Sequence, residues 1–375
     1  MSTLYFDSAA TSIPCRQAVE AASAAIAFFG NPSSVHSEGL AAKKIIDSAR
    51  KSVASALYCK PEEVVFTGCG SESNNQALFG LSKLRARRSK RIITTNSEHP
   101  SVSAPLASLE AEGFEIIRLS TKGGAIDISE LESELQNGAA FVSIMLANNE
   151  TGAKYDLASV RRAIDRSGCG ALLHCDAVQG FLKTDDRREI AKYCDCASVS
   201  AHKIGGFKGV GALFVKNGLK MPPFIKGGGQ ESGFRSGTEN TVGIAAFGAA
   251  AEAFNAEKLK HISELYEYTK QLILESGAEI KLNLPEKHIC TILSVSVAGV
   301  RSEVMLNALS AEGICISAGS ACSARKGPSG ALEAFGLTKQ EIEGTVRISF
   351  GADNTREECV MLAERLAVNA KRLKR

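Results

Sequence analysis

The sequence predicts an α/β protein built on a mostly parallel β-sheet with helices on both faces. From about residue 61 to residue 215, short apolar runs rich in β-branched residues alternate with amphipathic segments. Strands that are apolar along their whole length are typical of parallel sheets, because helices cover both faces. The six runs that we interpret as strands are VVF at 64–66, RIITTN at 91–96, EIIRL at 115–119, AFVSIMLAN at 140–148, ALLHCD at 171–176 and CASVSAHK at 196–203.

A seventh run, VGALFVK at 210–216, follows closely after a glycine-rich turn. Such a short connection leaves no room for a crossover helix, so we expect this run to pair antiparallel at the end of the sheet. The sheet would then contain seven strands.

The rest of the chain predicts a smaller α+β unit. Its predicted elements are TILSVSV at 291–297, a helix at 302–311, ICIS at 314–317, VRISFG at 346–351 and a closing helix from Thr355. A glycine-rich stretch at 227–240 precedes a helix of small residues that connects the two units. We therefore expect a large domain at residues 14–247 and a small domain formed by residues 1–13 and 248–375.

The composition excludes several classes of protein. The 375 residues include 44 Lys and Arg against 41 Asp and Glu, and the net charge of +3 provides no overall field for nucleic acid or a membrane. No apolar stretch approaches the ~20 residues of a membrane-spanning helix, so we expect a cytoplasmic protein. The eleven cysteines form no C-x-x-C pair, which argues against a disulfide framework and against a metal site.

Three segments place polar groups where predicted strands end, which is the edge at which open α/β sheets bind ligands. VVFTGCGSESNN leads from a strand through a glycine loop into a helix, whose free N–H groups suit a phosphate. ALLHCD ends in Asp176, whose carboxylate needs a cation, a metal or a protonated heterocycle facing it. CASVSAHK ends in Ser200, His202 and Lys203, and the lysine is either a solvated cation or an amine that forms a Schiff base.

Together these segments match the needs of pyridoxal phosphate. That cofactor requires a phosphate cradle, an acid for its ring nitrogen and a lysine for its aldehyde. His99 in TNSEHPSV also follows a predicted strand. An imidazole there could stack on the cofactor ring or transfer protons near neutral pH.

Ten motifs, in order along essentially the whole chain, resemble those of the cysteine desulfurases. This group belongs to the class V aminotransferases, which are fold-type I pyridoxal-phosphate enzymes. The motifs are YFDSAAT, GNPSSVH, TGCGSESNN, SEHPSV, NNETG, HCDAVQ, SAHK, RSGTEN, SAGSACSA and VRISFG. Tyr155 departs from the pattern, since it stands where the family commonly has Gln.

The resemblance implies a role for each matched position around the cofactor. Lys203 would bond to the cofactor aldehyde, Asp176 would pair with the pyridine nitrogen and Gln179 with the ring hydroxyl. His99 would lie against the ring face and act as an acid or base. The residues implied to bind the phosphate are Gly70, Ser71, Ser200, His202 and, reaching across from a second subunit, Thr238. The implied role of Thr238 requires a homodimer, because each active site would contain a residue from both subunits.

The resemblance also implies how substrate is bound and transformed. Asn149, beside the cofactor, and Arg347 would hold the substrate carboxylate, since a guanidinium fork fits a carboxylate. Cys322 lies in a segment that resembles the family's S-x-G-S-A-C loop. Its thiolate would take the sulfur of L-cysteine as a persulfide, leave L-alanine and pass the sulfur to an acceptor, which we expect to be a protein.

Several alternatives stay open at this point. The destination of the sulfur could be iron–sulfur cluster assembly, tRNA thiolation or another pathway, although no direct nucleic-acid or membrane binding is expected. A lyase that acts on selenocysteine or cysteine sulfinate would share every cofactor residue. An ordinary aminotransferase would need no Cys322. A non-catalytic relative that binds a carrier or RNA could dispense with Lys203 or Cys322, yet both are present.

Overall fold

The computed structural model describes residues 3–319 and 330–374, which form thirteen strands and thirteen helices. The strands are β1 (Leu4–Tyr5), β2 (Val64–Thr67), β3 (Arg91–Thr95), β4 (Glu115–Leu119), β5 (Phe141–Met145), β6 (Leu172–Asp176), β7 (Cys196–Ser200), β8 (Gly211–Val215), β9 (Ile280–Leu282), β10 (Ile292–Val297), β11 (Ile314–Cys315), β12 (Ser317–Ala318) and β13 (Thr345–Ser349). The helices are α1 (Arg16–Ala25), α2 (Ser37–Leu57), α3 (Gly70–Arg85), α4 (Pro100–Ala111), α5 (Ile128–Gln136), α6 (Leu157–Ser167), α7 (Glu189–Tyr193), α8 (Thr241–Ala253), α9 (Ala256–Glu275), α10 (Ser302–Ala311), α11 (Gly330–Phe335), α12 (Lys339–Glu343) and α13 (Arg356–Leu373). In this described part of the chain, no helix is both long and apolar enough to cross a membrane.

Seven strands form the central sheet, in the order β2-β8-β7-β6-β5-β3-β4. Neighbouring strands are parallel except at β8, which runs antiparallel to both β7 and β2. The predicted mostly parallel seven-stranded sheet is therefore confirmed, together with the antiparallel direction of β8. The predicted place of β8 at the end of the sheet is wrong, because β2 pairs along its outer edge. The β7–β8 pairing joins segments close in sequence, whereas the β2–β8 pairing joins distant ones that no local pattern connects.

Successive residues of the central strands point to opposite faces of the sheet, and helices cover both faces. Ile92 and Phe141 belong to the hydrophobic cluster that includes apolar residues of α3 and α4. Their sequence neighbours, Ile93 and Val142, belong to the other cluster, with apolar residues of α6. Burial on both faces explains why these strands are apolar along almost their whole length.

The smaller unit contains a four-stranded sheet, in the order β12-β13-β10-β9, whose strands are all antiparallel. The predicted strand ICIS is divided, because β11 pairs in parallel with β1 whereas β12 pairs with β13. The start of the chain thereby joins the C-terminal unit. The predicted boundary between residues 247 and 248 falls within α8, and the division into two domains stays a prediction.

A buried ion pair links α2 to the glycine-rich stretch that precedes α8. Glu231 accepts two hydrogen bonds from the Arg50 guanidinium, both at 2.7 Å, and a third from the Phe66 N–H at 2.8 Å. Glu231 has a φ of 49°, which is the left-handed conformation. This conformation raises the free energy of any residue that has a side chain. The three hydrogen bonds hold Glu231 in this conformation and fix the stretch beside β2.

We expect the substitution Glu231→Ala to destabilise the protein by about 3–5 kcal/mol, because it leaves the Arg50 guanidinium without its buried counter-charge. The midpoint of urea unfolding at a fixed protein concentration measures the effect. Glu20→Ala serves as the matched control, since it removes an exposed helical pair with Arg16 whose ends are 3.8 Å apart. Equal unfolding midpoints for the two variants would contradict the prediction.

Candidate active site

Lys203 lies just beyond the carboxyl end of β7, in the 3-10 turn Ala201–Lys203. Its amine donates hydrogen bonds to the carbonyl oxygens of Ala9 and Ala10, each at 2.7 Å. Desolvation, followed by the nearby positive charge of Arg347, lowers the pKa of Lys203 to about 8, against 10.5 for an ordinary lysine. An appreciable fraction of this amine is therefore uncharged near neutral pH and can act as a nucleophile.

Asp176 is the last residue of β6, the neighbour of β7, and its side chain is almost completely buried. Its Oδ2 accepts a hydrogen bond from Asn74 Nδ2 at 2.8 Å, and its Oδ1 accepts one from the Val178 N–H at 3.0 Å. Across residues 3–319 and 330–374, no cationic side chain forms an ion pair with this carboxylate. A buried carboxylate is costly unless a positive group faces it, and a protonated ring nitrogen would be such a group.

The predicted phosphate-binding residues include the start of α3, after the loop that follows β2. Gly70 begins α3, and a Cβ at this position would lie 2.7 Å from a methyl group of Val178. Ser71, the next residue, is exposed at the start of the helix. The Ser200 hydroxyl is buried, and it has no hydrogen-bond partner among the described residues. Free N–H groups at a helix start beside an unsatisfied hydroxyl suit an anion.

His202 lies next to Lys203, and desolvation lowers its pKa to about 4. Its Nδ1 is 3.2 Å from the Thr11 hydroxyl. The imidazole is therefore neutral at physiological pH. It can donate a hydrogen bond to an anion without carrying a positive charge of its own.

His99 and Gln179 lie near the same edge of the sheet. His99 immediately precedes α4, and its Nδ1 accepts a hydrogen bond from the Ser101 N–H at 3.1 Å. The Gln179 amide donates from Nε2 to the Ala9 carbonyl at 2.8 Å. Its Oε1 accepts a hydrogen bond from buried Lys183 at 3.4 Å. The orientation of the Gln179 amide is thereby set, and its Nε2 has a second N–H that can be donated to a ring hydroxyl.

Arg347, on β13, contacts the main chain rather than the side chain of Asn149. Its Nη1 donates to the Asn149 carbonyl at 2.8 Å, and its Nη2 pairs with Asp7 Oδ1 at 2.9 Å. Asp7 also accepts a hydrogen bond from Ser317 at 2.7 Å. Arg347 Nε is buried without a hydrogen-bond partner in the described part of the chain. Asp7, which the sequence analysis did not assign, thus occupies part of the fork expected to bind a substrate carboxylate.

Thr238 and Cys322 complete the set of predicted site residues. Thr238 is exposed in the glycine-rich stretch, and no hydrogen bond joins it to another residue in the ranges 3–319 and 330–374. Cys322 lies outside the described residues. The prediction for each residue therefore rests on the sequence.

The structure adds polar residues to the site that sequence reasoning missed. Asn74 contacts Asp176, and its place four residues after Gly70, on the same side of α3, is the signal that could have identified it. Glu98 adjoins His99, and desolvation raises its pKa to about 8. Tyr155, whose role the sequence left unexplained, is buried with its hydroxyl 2.8 Å from Ser97 Oγ. It supports the loop that leads to His99.

The residues present fit pyridoxal phosphate. The unsatisfied Ser200 hydroxyl and the close packing at Gly70 suit its phosphate. The unpaired carboxylate of Asp176 suits its ring nitrogen, and the partly uncharged amine of Lys203 suits its aldehyde. Within the described residues, no cluster of three or more His, Cys, Asp or Glu side chains could hold a metal ion.

Comparison with known proteins agrees with this geometry. The family model described as aminotransferase class-V matches residues 4–362. A cysteine desulfurase of Trichormus azollae is 36% identical over 357 residues, which are 93% of this chain and 88% of the relative. The Archaeoglobus fulgidus protein named cysteine desulfurase IscS 1 is 35% identical over 378 residues, covering 99% of this chain and 97% of the relative.

Solved structures of similar proteins show the same fold. A NifS-like protein superposes with a TM-score of 0.91 at 32% identity, covering 99% of this chain and 100% of the other. SspA in complex with cysteine superposes with a TM-score of 0.82 at 31% identity, covering 94% of this chain and 99% of the other. The chain belongs to the class-V aminotransferase family and, within it, to the cysteine desulfurases.

Proposed function

We propose that this chain is a pyridoxal-phosphate-dependent desulfurase that converts L-cysteine to L-alanine and takes the sulfur onto Cys322. The observation that carries the proposal is the amine of Lys203, whose pKa is lowered to about 8 at the edge of the sheet where Asp176 also ends its strand. Similar proteins named cysteine desulfurase support the activity, and the similar SspA structure, in complex with cysteine, supports the substrate.

The chain's own residues bind and orient the cofactor. When bound, pyridoxal phosphate supplies an aldehyde and an electron-accepting ring that weakens bonds next to the amino group of the substrate. Lys203 would provide the amine that bonds to the aldehyde, and Asp176 would favour a proton on the ring nitrogen. Gln179 would donate its second N–H to the ring hydroxyl. The groups assigned to the phosphate are Gly70, Ser71, Ser200 and His202.

Arg347 and Asn149 are assigned to the substrate carboxylate. The buried Nε of Arg347 has no hydrogen-bond partner in residues 3–319 and 330–374, so the guanidinium has an N–H to donate. Asp7 already pairs with Nη2 at 2.9 Å, and it balances the arginine until substrate binds. A substrate carboxylate would therefore share the guanidinium with Asp7 or displace it.

Cys322 is assigned to sulfur transfer on the strength of its sequence context. As the C–S bond of the substrate breaks, the thiolate sulfur forms an S–S bond to the departing sulfur, and the electron pair of the broken bond stays on carbon. Protonation at carbon completes L-alanine. A thiolate of the acceptor then attacks the outer sulfur of the persulfide, takes that sulfur and leaves the Cys322 thiolate.

We further propose a cytoplasmic homodimer in which Thr238 of one subunit contacts the cofactor phosphate of the other. Thr238 is exposed, as a residue that reaches into a second subunit would be. The exposed fractions of three apolar side chains, 67% for Ile26, 82% for Phe29 and 90% for Val35, support a covering partner. We also propose that the sulfur acceptor is a protein and that the sulfur is used in iron–sulfur cluster assembly. The chain is proposed to divide into two domains near residue 248.

The assignment of Cys322 predicts a specific loss in the variant Cys322→Ala. Wild-type protein given pyridoxal phosphate and L-cysteine should release alanine and gain the mass of one sulfur on the peptide containing Cys322. The variant should bind the cofactor normally but form alanine at least about 100-fold more slowly, because the nucleophile is missing.

Cys169→Ala is the matched control for this experiment, because Cys169 lies before β6, at the opposite edge of the sheet. Undiminished alanine formation by Cys322→Ala would refute sulfur transfer to this residue. Cofactor binding without alanine or persulfide in the wild type would instead favour the lyase or aminotransferase alternatives.

The lowered pKa of Lys203 predicts how fast the cofactor-free protein bonds to added pyridoxal phosphate. Only the uncharged amine attacks, so the rate should rise up to tenfold per pH unit below the pKa and level off above about pH 8. With an ordinary lysine, the rate would keep rising with pH up to the lysine pKa of 10.5. Stopped-flow absorbance measures the rate, and Lys203→Ala should show no bond that borohydride can reduce. Such a bond in Lys203→Ala would contradict the assignment.

The proposed position of Thr238 predicts complementation between a subunit that lacks Lys203 and a Thr238 variant, assayed at a cofactor concentration that leaves the Thr238 variant largely empty. Thr238→Val should weaken cofactor binding by roughly 10–100-fold, since a hydrogen bond to a charged phosphate is lost. In a mixed dimer with Lys203→Ala, one of the two sites would contain both native residues. Co-refolded subunits should therefore recover up to about a quarter of wild-type activity. Absence of recovery, with mixed dimers demonstrated by differently tagged subunits, would show that Thr238 does not act across the interface.

A further inference from the structure

We propose that the carboxylate of Asp176, acting through Asn74 and Ser101, fixes the proton of His99 on Nε2. Asn74 and Ser101 are positioning residues, because they act on His99 rather than on the reacting atoms. The placement of the proton follows from hydrogen-bond directions alone. Its consequence for catalysis rests on the proposed function.

The first link is the amide of Asn74, which is fully buried. Its Nδ2 lies 2.8 Å from Asp176 Oδ2 and 2.8 Å from Ser101 Oγ. An ionised carboxylate can only accept hydrogen bonds, so the amino group of Asn74, not its carbonyl, must face Asp176. The second N–H of the same amino group then points to Ser101. The amide orientation is thus set by the charge of Asp176.

The second link is the hydroxyl of Ser101. Because this oxygen accepts from Asn74, its own proton is available for its other neighbour, His99 Nδ1, at 2.8 Å. The Ser101 N–H donates to the same nitrogen from 3.1 Å. His99 Nδ1 therefore accepts from two donors. A proton on Nδ1 would face the Ser101 N–H, which can only donate, so the neutral ring carries its proton on Nε2.

The helix that follows His99 acts in the same direction. His99 is the N-cap of α4, where free N–H groups form the positive end of the helix dipole and disfavour an imidazolium. Desolvation lowers the pKa of His99, Asp176 opposes this effect from β6, and Lys203 reinforces it from the turn after β7. From α3, the group facing this chain of hydrogen bonds is the neutral amide of Asn74.

The outcome is an imidazole that presents an N–H to the site. In the described part of the chain, Nε2 of His99 has no hydrogen-bond partner, so this N–H is available to a ligand. Under the proposed function, His99 donates a hydrogen bond or a proton at Nε2 and does not remove one there. Another base must then remove a proton from substrate. The amine of Lys203 is suited to this role, because its pKa is about 8.

The experiment measures the tautomer by NMR on full-length protein labelled with 13C and 15N in its six histidines. The His99 signals are assigned from their loss in His99→Gln, and spectra are recorded with and without pyridoxal phosphate. In the wild type, Nε2 should resonate as a protonated nitrogen and Nδ1 as an unprotonated one. Ser101→Ala should shift Nδ1 towards the protonated form and raise the pH midpoint of His99 by roughly 0.5–1 unit, because one donor to Nδ1 is lost.

Two further variants make the result specific. Ser101→Thr retains the hydroxyl and should restore the wild-type spectrum, and Ser103→Ala removes an exposed hydroxyl of the same helix and should change nothing. A proton on Nδ1 in the wild type would overturn the proposal. So would a Ser101→Ala spectrum that matches that of Ser103→Ala. Alanine formation is assayed separately, so a protein without desulfurase activity but with the Nε2 tautomer would refute the proposed function and leave this inference standing.

Discussion

The site depends on the parallel pairing of β6 with β7, which brings a buried acid and a desolvated amine to one edge of the sheet. In this register Asp176 pairs with Ser198, so the chain reaches Lys203 shortly after the end of β7. Neither group is stable in a poorly solvated place without a partner. The negative charges of Asp7 and, to a smaller extent, Asp176 raise the pKa of Lys203 and so oppose part of the desolvation that lowers it. The sheet thus brings two poorly solvated groups to one edge, where a ligand can supply the partners that they lack.

The segment that follows β1 completes this edge and connects it to the smaller sheet. The Ala9 carbonyl accepts hydrogen bonds from both Lys203 and Gln179, while Asp7 pairs with Arg347 on β13. Because β1 itself pairs with β11, this segment is anchored in the C-terminal unit while it touches the large sheet. A few residues of main chain therefore set the distance between the nucleophilic amine and the arginine assigned to substrate.

Local sequence patterns predicted the strands and the residues at their ends, because burial on two faces leaves a continuous apolar run. They could not place β2 outside β8, since that pairing joins distant segments, nor show that ICIS divides between two sheets. The strand ends and the resemblance both singled out Lys203, Asp176 and His99, whereas neither assigned a role to Asn74 or Asp7. Those two residues act through hydrogen-bond directions and charge balance, which exist only once the strands and helices meet.

The electrostatics of the site suit the binding of two anions. Desolvation lowers the pKa values of His99, His202 and Lys203, and Arg347 adds positive charge beside the amine. A phosphate at the start of α3 and a substrate carboxylate at Arg347 would add negative charge beside these groups. Each anion favours protonation of its neighbours, so the amine that must be neutral to bond to an aldehyde becomes more basic once both are bound. With both anions bound, Lys203 would therefore act, when it is not bonded to the aldehyde, as a base that can hold a proton.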